Sequence, residues 1–316
     1  MAVDDKDEST AQRIAVVFGG GAGLGALQVG QLRALAEHGI RPDLVTGTSS
    51  GAVNALLYAS DPTLEGIARI EKLWMSVGRK DLFRIRPHRV VTGLLGSSTA
   101  LASGTRLRRL LEAAASVERL EHTQIPLGIT ATNSLTRTPT LMQTGSAIEI
   151  VLASAAVPGL FPPVEIDGIP YIDGGLSSDP PLGAAVQMGA TTAYVLPVGW
   201  PMREPVRGNA AMRIADAVDW LCWRLAEVEL ARWSSACDVH LLPSPSTRSV
   251  APFDLRHTRG LIESAYSLSM EWFANECPAP GAAVASEAQV PIADVSLPRS
   301  LRRSDWRRHW PRKAVN

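Results

Sequence analysis

A serine flanked by glycines is the first residue of this sequence whose type and setting suggest chemistry. Ser49 lies within residues 47–51 (GTSSG), between an apolar run and an alanine-rich segment. This stretch matches GxSxG, in which small residues allow a tight turn from a strand into a helix and bring the serine hydroxyl to the helix N-terminus. The pattern alone is compatible with a nucleophilic serine or with a serine that only caps the helix.

A glycine-rich segment, residues 19–25 (GGGAGLG), is the second candidate, because it separates the first predicted strand from the first predicted helix. Consecutive backbone amides in such a segment can bind an oxyanion. The segment also contains GxGxxA, a variant of the dinucleotide fingerprint, which requires an acidic residue at the end of the second strand. Asp43 has about the right spacing but precedes that strand. The sequence therefore favours anion binding over nucleotide binding.

Residues 171–175 (YIDGG) supply the third candidate, Asp173, at the end of a predicted strand. Asp-Gly usually marks a simple turn, as predicted for Asp167 and Gly168. However, a serine needs a base to attack an ester, and Asp173 can act as one if burial raises its pKa from about 3.9. The rival base is a histidine, and the chain order Ser-Asp-His would select His240 or His257.

The elements that position these candidates follow from apolar runs and their periodicity. Residues 14–18 and 43–47 are predicted strands, each followed by a helix, at 25–36 and 51–58. This order is typical of a parallel sheet with right-handed crossovers. Further strands are predicted within 127–142, 165–171 and 192–198, and further helices within 61–118 and at 210–234 and 258–274.

Residues 19–25, here called the glycine loop, are followed by GxSxG and then by Asp-Gly-Gly, and this order resembles that of the patatin-like phospholipase family. Residues 25–30, 153–163 and 176–181 also resemble the family. The resemblance implies a three-layer α/β/α sandwich with a central, mainly parallel sheet and C-terminal helices. It also implies hydrolysis of acyl esters of lipids by a Ser-Asp dyad, without metal or cofactor. Ser49 would be the nucleophile and Asp173 the base, with an oxyanion hole formed by the amides of Gly20, Gly21 and Ala22. The motif glycines are Gly19, Gly23, Gly25, Gly47, Gly51, Gly174 and Gly175.

The glycine loop departs from the family pattern GGGxRG at two positions. Leu24 stands where the arginine would be, which removes a fixed positive charge and keeps neutral lipids and simple esters among the expected substrates. Ala22 stands where the third glycine would be, and its methyl group is expected to be harmless if φ is negative there. Two other functions on the same fold stay open: acyl transfer, and non-hydrolytic lipid binding or regulation.

Composition and charge indicate where the globular part lies. The 316 residues are 46% hydrophobic and 20% charged with zero net charge, which is typical of a globular enzyme. The catalytic domain is predicted at 14–198, with a C-terminal helical region at 199–280 packed on it. Residues 1–13 are predicted as an acidic tail and 281–316 as a second tail.

Partners and location are inferred from what the sequence carries. The widely spaced Cys222, Cys237 and Cys277 predict neither a zinc site nor a disulfide framework. Neither a secretory signal nor a membrane span is predicted, so a cytoplasmic location is expected. Residues 79–105 are a candidate lid. The Arg-, Lys- and Trp-containing residues 299–316 fit either peripheral contact with an anionic membrane or a solvated tail. A lipid or ester substrate is expected, and nucleic acid is not.

Overall fold

The computed structural model describes residues 12–78, 100, 102–199, 210–247 and 254–275. These residues belong to one compact unit, Met1–Cys277. Most of the candidate lid and of the acidic tail, and the whole of 281–316, lie outside the described residues. The predicted domain boundaries and the membrane contact of 299–316 stay predictions.

One mixed sheet of eight strands organises the described part of the chain. The strands are β1 Ile14–Phe18, β2 Leu44–Thr48, β3 Leu127–Asn133, β4 Thr138–Met142, β5 Val164–Ile166, β6 Ile169–Ile172, β7 Thr192–Leu196 and β8 Asp238–Leu241. Their order is β5-β6-β3-β2-β1-β7-β8, and β4 also pairs with β3. The neighbours from β3 to β8 pair in parallel, whereas β4, β5 and β6 form antiparallel pairs. Phe18 of β1 is level with Gly47 of β2 and Leu196 of β7, so these strands end at one edge of the sheet.

Helices cover both faces of this sheet. The helices are α1 Leu27–Glu37, α2 Ser50–Ser60, α3 Leu64–Ser76, α4 Thr105–Ala114, α5 Ala147–Ser154, α6 Leu182–Gln187, α7 Ala210–Trp233 and α8 Thr258–Asn275. Alternate residues of a strand point to opposite faces. Accordingly, Val16 and Phe18 join the core formed with α1 and α2, whereas Ala15 and Val17 join the core that includes Leu182 of α6. The predicted α/β/α sandwich is confirmed.

Most predicted elements are present, and the differences have local causes. The first helix starts later than expected, because residues Ala22–Ala26 form a tighter 3-10 turn before α1. The short strand β8 and the helices α5 and α6 were not predicted from the sequence. Strand β8 has only four residues, of which two are polar, so it lacks the apolar run used to predict the other strands. Helix α5 lies in a continuous apolar stretch, in which a helical repeat of apolar residues cannot be recognised. In the described part of the chain, no helix is both long and apolar enough to cross the bilayer.

Helix α1, which follows the glycine loop, packs closely on α8. Gly30 makes this approach possible, because a Cβ atom there would lie 2.0 Å from the Ile262 carbonyl oxygen and 2.8 Å from the Tyr266 nitrogen. Both of these atoms belong to the backbone of α8, so they cannot move aside as a flexible side chain would. The packing of α8 therefore fixes the helix that leads out of the glycine loop.

We expect Gly30→Ala to lower the free energy of unfolding by about 2 kcal/mol, because the added methyl forces α1 and α8 apart. The control is Gly260→Ala in α8, where a Cβ meets no atom within 4 Å. That exposed change should raise the free energy of unfolding by about 0.5 kcal/mol through helix propensity. Urea denaturation of both variants measures the difference, and equal effects would contradict the packing argument.

Candidate active site

Ser49 occupies the turn between β2 and α2 that the sequence predicted. Its backbone angles, φ 54° and ψ −125°, lie in a region that non-glycine residues rarely adopt, and such strain is concentrated at functional sites. Gly51 permits the turn, because a Cβ atom there would lie 2.4 Å from the Phe18 carbonyl oxygen at the end of β1. The close approach of β1 thus explains the second glycine of GxSxG.

The backbone and side chain of Ser49 are both fixed by hydrogen bonds. Its amide donates to Ser154 Oγ at 2.9 Å, and Ser154 Oγ donates to the Thr130 carbonyl at 2.7 Å. Its own Oγ donates to Asp173 Oδ2 at 2.7 Å. Both Ser49 and Asp173 are buried. The structure therefore joins two of the residues selected from the sequence in one direct contact.

Asp173 lies just after β6 and is held by its backbone as well as by its carboxylate. Its amide donates to the Ala156 carbonyl at 3.0 Å, and its carbonyl accepts from Thr132 Oγ1 at 2.7 Å. Its Oδ1 accepts from the Gly175 amide at 2.8 Å. Burial raises the pKa of Asp173 to about 6, although the hydrogen bonds from Ser49 and Gly175 lower it. A raised pKa is what Asp173 needs in order to act as a base. Asp167, in the nearby hairpin turn, is exposed instead.

The glycine loop passes directly beside the serine. A Cβ atom at Gly20 would lie 3.2 Å from Ser49 Cβ. The Gly20 amide, however, already donates to Asp179 Oδ1 at 2.8 Å. No described residue accepts a hydrogen bond from the amide of Gly21 or Ala22. Of the three amides selected for an oxyanion hole, those two are the ones that this conformation leaves available.

Ala22 has φ 52°, so the condition stated for its methyl group, a negative φ, is not met. Alanine is strained in this left-handed region, where glycine is not. The expectation was wrong because the chain enters the 3-10 turn Ala22–Ala26 through one left-handed residue, which the sequence pattern did not indicate.

A buried network of neutral side chains holds the glycine loop from the core side. Gln28 Nε2 donates to the carbonyl oxygens of Gly19 and Leu196, both at 2.8 Å. Asn54 Nδ2 donates to Gln28 Oε1 at 2.8 Å, and Trp74 Nε1 donates to Asn54 Oδ1 at 2.8 Å. Burial of Gln28 among apolar residues of α1 requires such partners. The network fixes the position of Gly19 relative to β7 and α2.

The residues favoured by rival hypotheses lie away from Ser49. Asp43 Oδ2 accepts from the Ile14 amide at 2.8 Å, at the start of β1 and therefore at the opposite end of that strand from the glycine loop. His240 stacks on Tyr194 and lies 3.1 Å from Asp238, and His257 is exposed where α8 begins. None of these side chains hydrogen-bonds to Ser49 within the described ranges.

Sequence reasoning did not select Gln28, Ser154 or Asp179. A polar residue on the buried stripe of α1 is a signal that could have identified Gln28. Ser154 lies in an alanine-rich segment that was noted only as a whole. Asp179, directly before two prolines, carries no local sign of its contact with the glycine loop.

The fold and this geometry define a class, an α/β/α protein with a serine and a carboxylate paired at a strand-to-helix turn. A family model described as Patatin-like phospholipase matches residues 16–186, which is more than half of the chain. The chain belongs to the patatin-like phospholipase family.

Individual relatives are similar over about 60% of the chain. Patatin-like phospholipase domain-containing protein 7 of Rattus norvegicus is 31% identical over 193 residues, which cover 60% of this chain and 14% of that protein. Lysophospholipase NTE1 of Saccharomyces cerevisiae is 28% identical over 198 residues, which cover 60% of this chain and 11% of that protein. The chain therefore spans a small part of the length of these relatives. Among solved structures, VipD from Legionella pneumophila aligns with a TM-score of 0.46 and 15% identity, covering 83% of this chain and 67% of that one.

We expect Gln28→Leu to lower the free energy of unfolding by about 3 kcal/mol, because it leaves the Gly19 carbonyl and one Asn54 N–H buried without a partner. Gln187→Leu, at the exposed end of α6, is the control and should change stability by less than about 0.5 kcal/mol. Chemical denaturation measures both values. A Gln28→Leu variant as stable as the wild type would show that the network does not hold the loop.

Proposed function

We propose that this protein is a serine lipid acyl hydrolase, with Ser49 as the nucleophile and Asp173 as its base. The observation that carries the proposal is the 2.7 Å hydrogen bond from Ser49 Oγ to Asp173 Oδ2, made in a buried turn beside the glycine loop. Membership of the patatin-like phospholipase family supports the reaction class. One similar protein is named a lysophospholipase, which supports a lipid ester as substrate.

In the first half of the reaction, Ser49 Oγ attacks the acyl carbon of the ester while its proton moves to Asp173 Oδ2. The carbonyl oxygen becomes an oxyanion, which accepts hydrogen bonds from the amides of Gly21 and Ala22, for which the described residues supply no other acceptor. One such donor is worth about 3 kcal/mol of transition-state stabilisation in acyl transfer. The intermediate then breaks its bond to the leaving alcohol, which takes the proton from Asp173. This leaves an acyl ester on Ser49.

In the second half, water replaces the alcohol. Asp173 takes a proton from the water as its oxygen attacks the acyl carbon of the Ser49 ester. A second oxyanion forms in the same place and collapses, releasing the fatty acid. The proton returns from Asp173 to Ser49 Oγ. Asp173 thus carries one proton in each half and must be ionised at the start of each.

Leu24 bears on the substrate. Its side chain is buried and packs with Leu27 and Leu261, so the position has become part of the apolar core. The loop therefore lacks the fixed cation that the family pattern would supply. We accordingly propose that the protein hydrolyses esters without a phosphate group, including neutral lipids, as well as phospholipids.

A fluorophosphonate probe should label the protein at Ser49, because an activated serine reacts readily with such electrophiles. Ser49→Ala should abolish the labelling. The matched control is Ser50→Ala, which removes a buried neighbouring hydroxyl that has no hydrogen-bond partner among the described residues. That variant should still be labelled. Full labelling of Ser49→Ala, or no labelling of the wild type even with added lipid, would refute the proposed nucleophile.

Asp173→Asn should lower kcat by about 10²–10⁴-fold, because the amide keeps the shape of the side chain but cannot take the proton. Asp167→Asn on the neighbouring exposed turn is the control and should be fully active. The wild-type kcat/KM should fall below pH 6, where the Asp173 carboxylate becomes protonated.

An imidazole base would titrate in the same pH range, so the pH profile does not separate the dyad from a triad. Substitution does: His240→Ala and His257→Ala should each keep most of the activity, measured with p-nitrophenyl esters. A loss on His257→Ala as large as that of Ser49→Ala, in a protein that still unfolds cooperatively, would return the assignment to a histidine triad.

A further inference from the structure

A second carboxylate, that of Asp179, lies against the glycine loop beside Ser49. Its Oδ1 accepts from the Gly20 amide at 2.8 Å. Cβ atoms built on Gly19 and Gly20 would each lie 3.1 Å from an oxygen of this carboxylate. A Cβ atom on Gly175, the residue that binds Asp173, would lie 3.7 Å from Asp179 Oδ2. The carboxylate therefore fills the space between the glycine loop and the segment that carries the proposed base.

The peptide bond held by Asp179 precedes the amides of Gly21 and Ala22, which have no acceptor in the described part of the chain. The loop is held twice: Gln28 binds the Gly19 carbonyl from the core, and Asp179 binds the Gly20 amide from the side of Ser49. Together these contacts fix the orientation of the peptide between Gly19 and Gly20. The next two amides, of Gly21 and Ala22, follow directly along the chain, so their orientation depends on this peptide.

We propose that Asp179 is a positioning residue of the active site, which aims the amides of Gly21 and Ala22 by holding the Gly20 amide and whose charge modulates the reaction at Ser49. This inference rests on the proposed function. It differs from the sequence-based assignment, because it removes the Gly20 amide from the oxyanion hole and gives it a structural task. Among the described residues, no hydrogen bond joins Asp179 to Ser49 Oγ, so in this proposal Asp179 acts through the loop and through its electrostatic field.

The surroundings of Asp179 make its charge variable near neutral pH. Burial is the main cause that raises the pKa of Asp179 to about 7. The hydrogen bond from Gly20 lowers this pKa, and the carboxylates of Asp173 and Glu229 add smaller contributions that raise it. Glu229 approaches from α7, where it accepts a hydrogen bond from Ser178 Oγ at 3.3 Å. Within the described residues, Arg232 is a cation that lowers the pKa of Glu229. The charge of Asp173 therefore affects the titration of Asp179.

The titration of Asp179 also makes the free energy of unfolding depend on pH. A carboxyl whose pKa is about 7 when folded and about 3.9 when unfolded holds its proton more tightly in the folded state. The contribution of Asp179 to stability is then greatest below pH 4 and is lost as pH rises towards 7. Asparagine avoids this loss, and its side-chain oxygen can still accept from the Gly20 amide.

The test compares Asp179→Asn with Asp179→Ala, using a neutral p-nitrophenyl ester. The asparagine variant keeps the acceptor and should stay within about threefold of the wild-type kcat at pH 7. The alanine variant loses the acceptor and should lose about tenfold or more in kcat with little change in KM, because the amides for the oxyanion are no longer aimed. Asp167→Asn is again the exposed control.

Two further measurements separate positioning from a merely structural role. The wild-type profile of kcat/KM should require two ionisations between pH 5 and 8, and that of Asp179→Asn only one. The melting temperature of Asp179→Asn should exceed that of the wild type at pH 8 and match it near pH 4. Identical pH profiles, or an alanine variant with wild-type kcat, would overturn the proposal. Fluorophosphonate labelling of Ser49 in the same samples shows separately whether the proposed nucleophile holds.

Discussion

The hydrogen bond from Ser49 Oγ to Asp173 Oδ2 places a carboxylate in the protein interior, and much of the surrounding structure serves that placement. An isolated buried charge is costly. The groups that stabilise this one, the Ser49 hydroxyl and the Gly175 amide, are neutral donors. They compensate only part of the lost hydration, so the pKa of Asp173 stays near 6. A salt bridge to an arginine would hold the charge more firmly and would make the carboxylate a weaker base.

The glycine loop beside Ser49 is also held by buried polar groups. Its position depends on a fully paired neutral network through Gln28, Asn54 and Trp74, and on one ionisable contact to Asp179. Neutral hydrogen bonds in the core give rigidity that does not vary with pH. The carboxylates of Asp173, Asp179 and Glu229 all have raised pKa values, so their ionisation reduces stability near neutral pH. The site thus loses some stability in return for a basic group beside the proposed nucleophile, as functional sites commonly do.

Close backbone contacts explain why the site tolerates so few side chains. Gly51 meets the end of β1, and a Cβ atom on Gly174 would lie 2.0 Å from the Thr130 carbonyl oxygen of β3. These contacts bring the ends of β1, β2, β3 and β6 together, so that Ser49 and Asp173 come within hydrogen-bond distance from positions far apart in the chain. The same need for close approach recurs at Gly30, where α1 meets α8.

The sequence by itself determined the features that depend on a few neighbouring residues. The apolar run of β1, the glycine loop, the serine turn and the Asp-Gly-Gly segment each carry their backbone requirement in their own residues, because glycine and short apolar runs restrict local geometry directly. Only the tertiary structure decided that Asp179 binds Gly20, that Ser154 binds the Ser49 amide, and that His240 pairs with Asp238 instead of Ser49. It also decided that φ of Ala22 is positive and that burial raises the pKa of Asp173. The first two contacts join residues more than a hundred positions apart, and burial depends on every element that surrounds a group, so no local pattern encodes them.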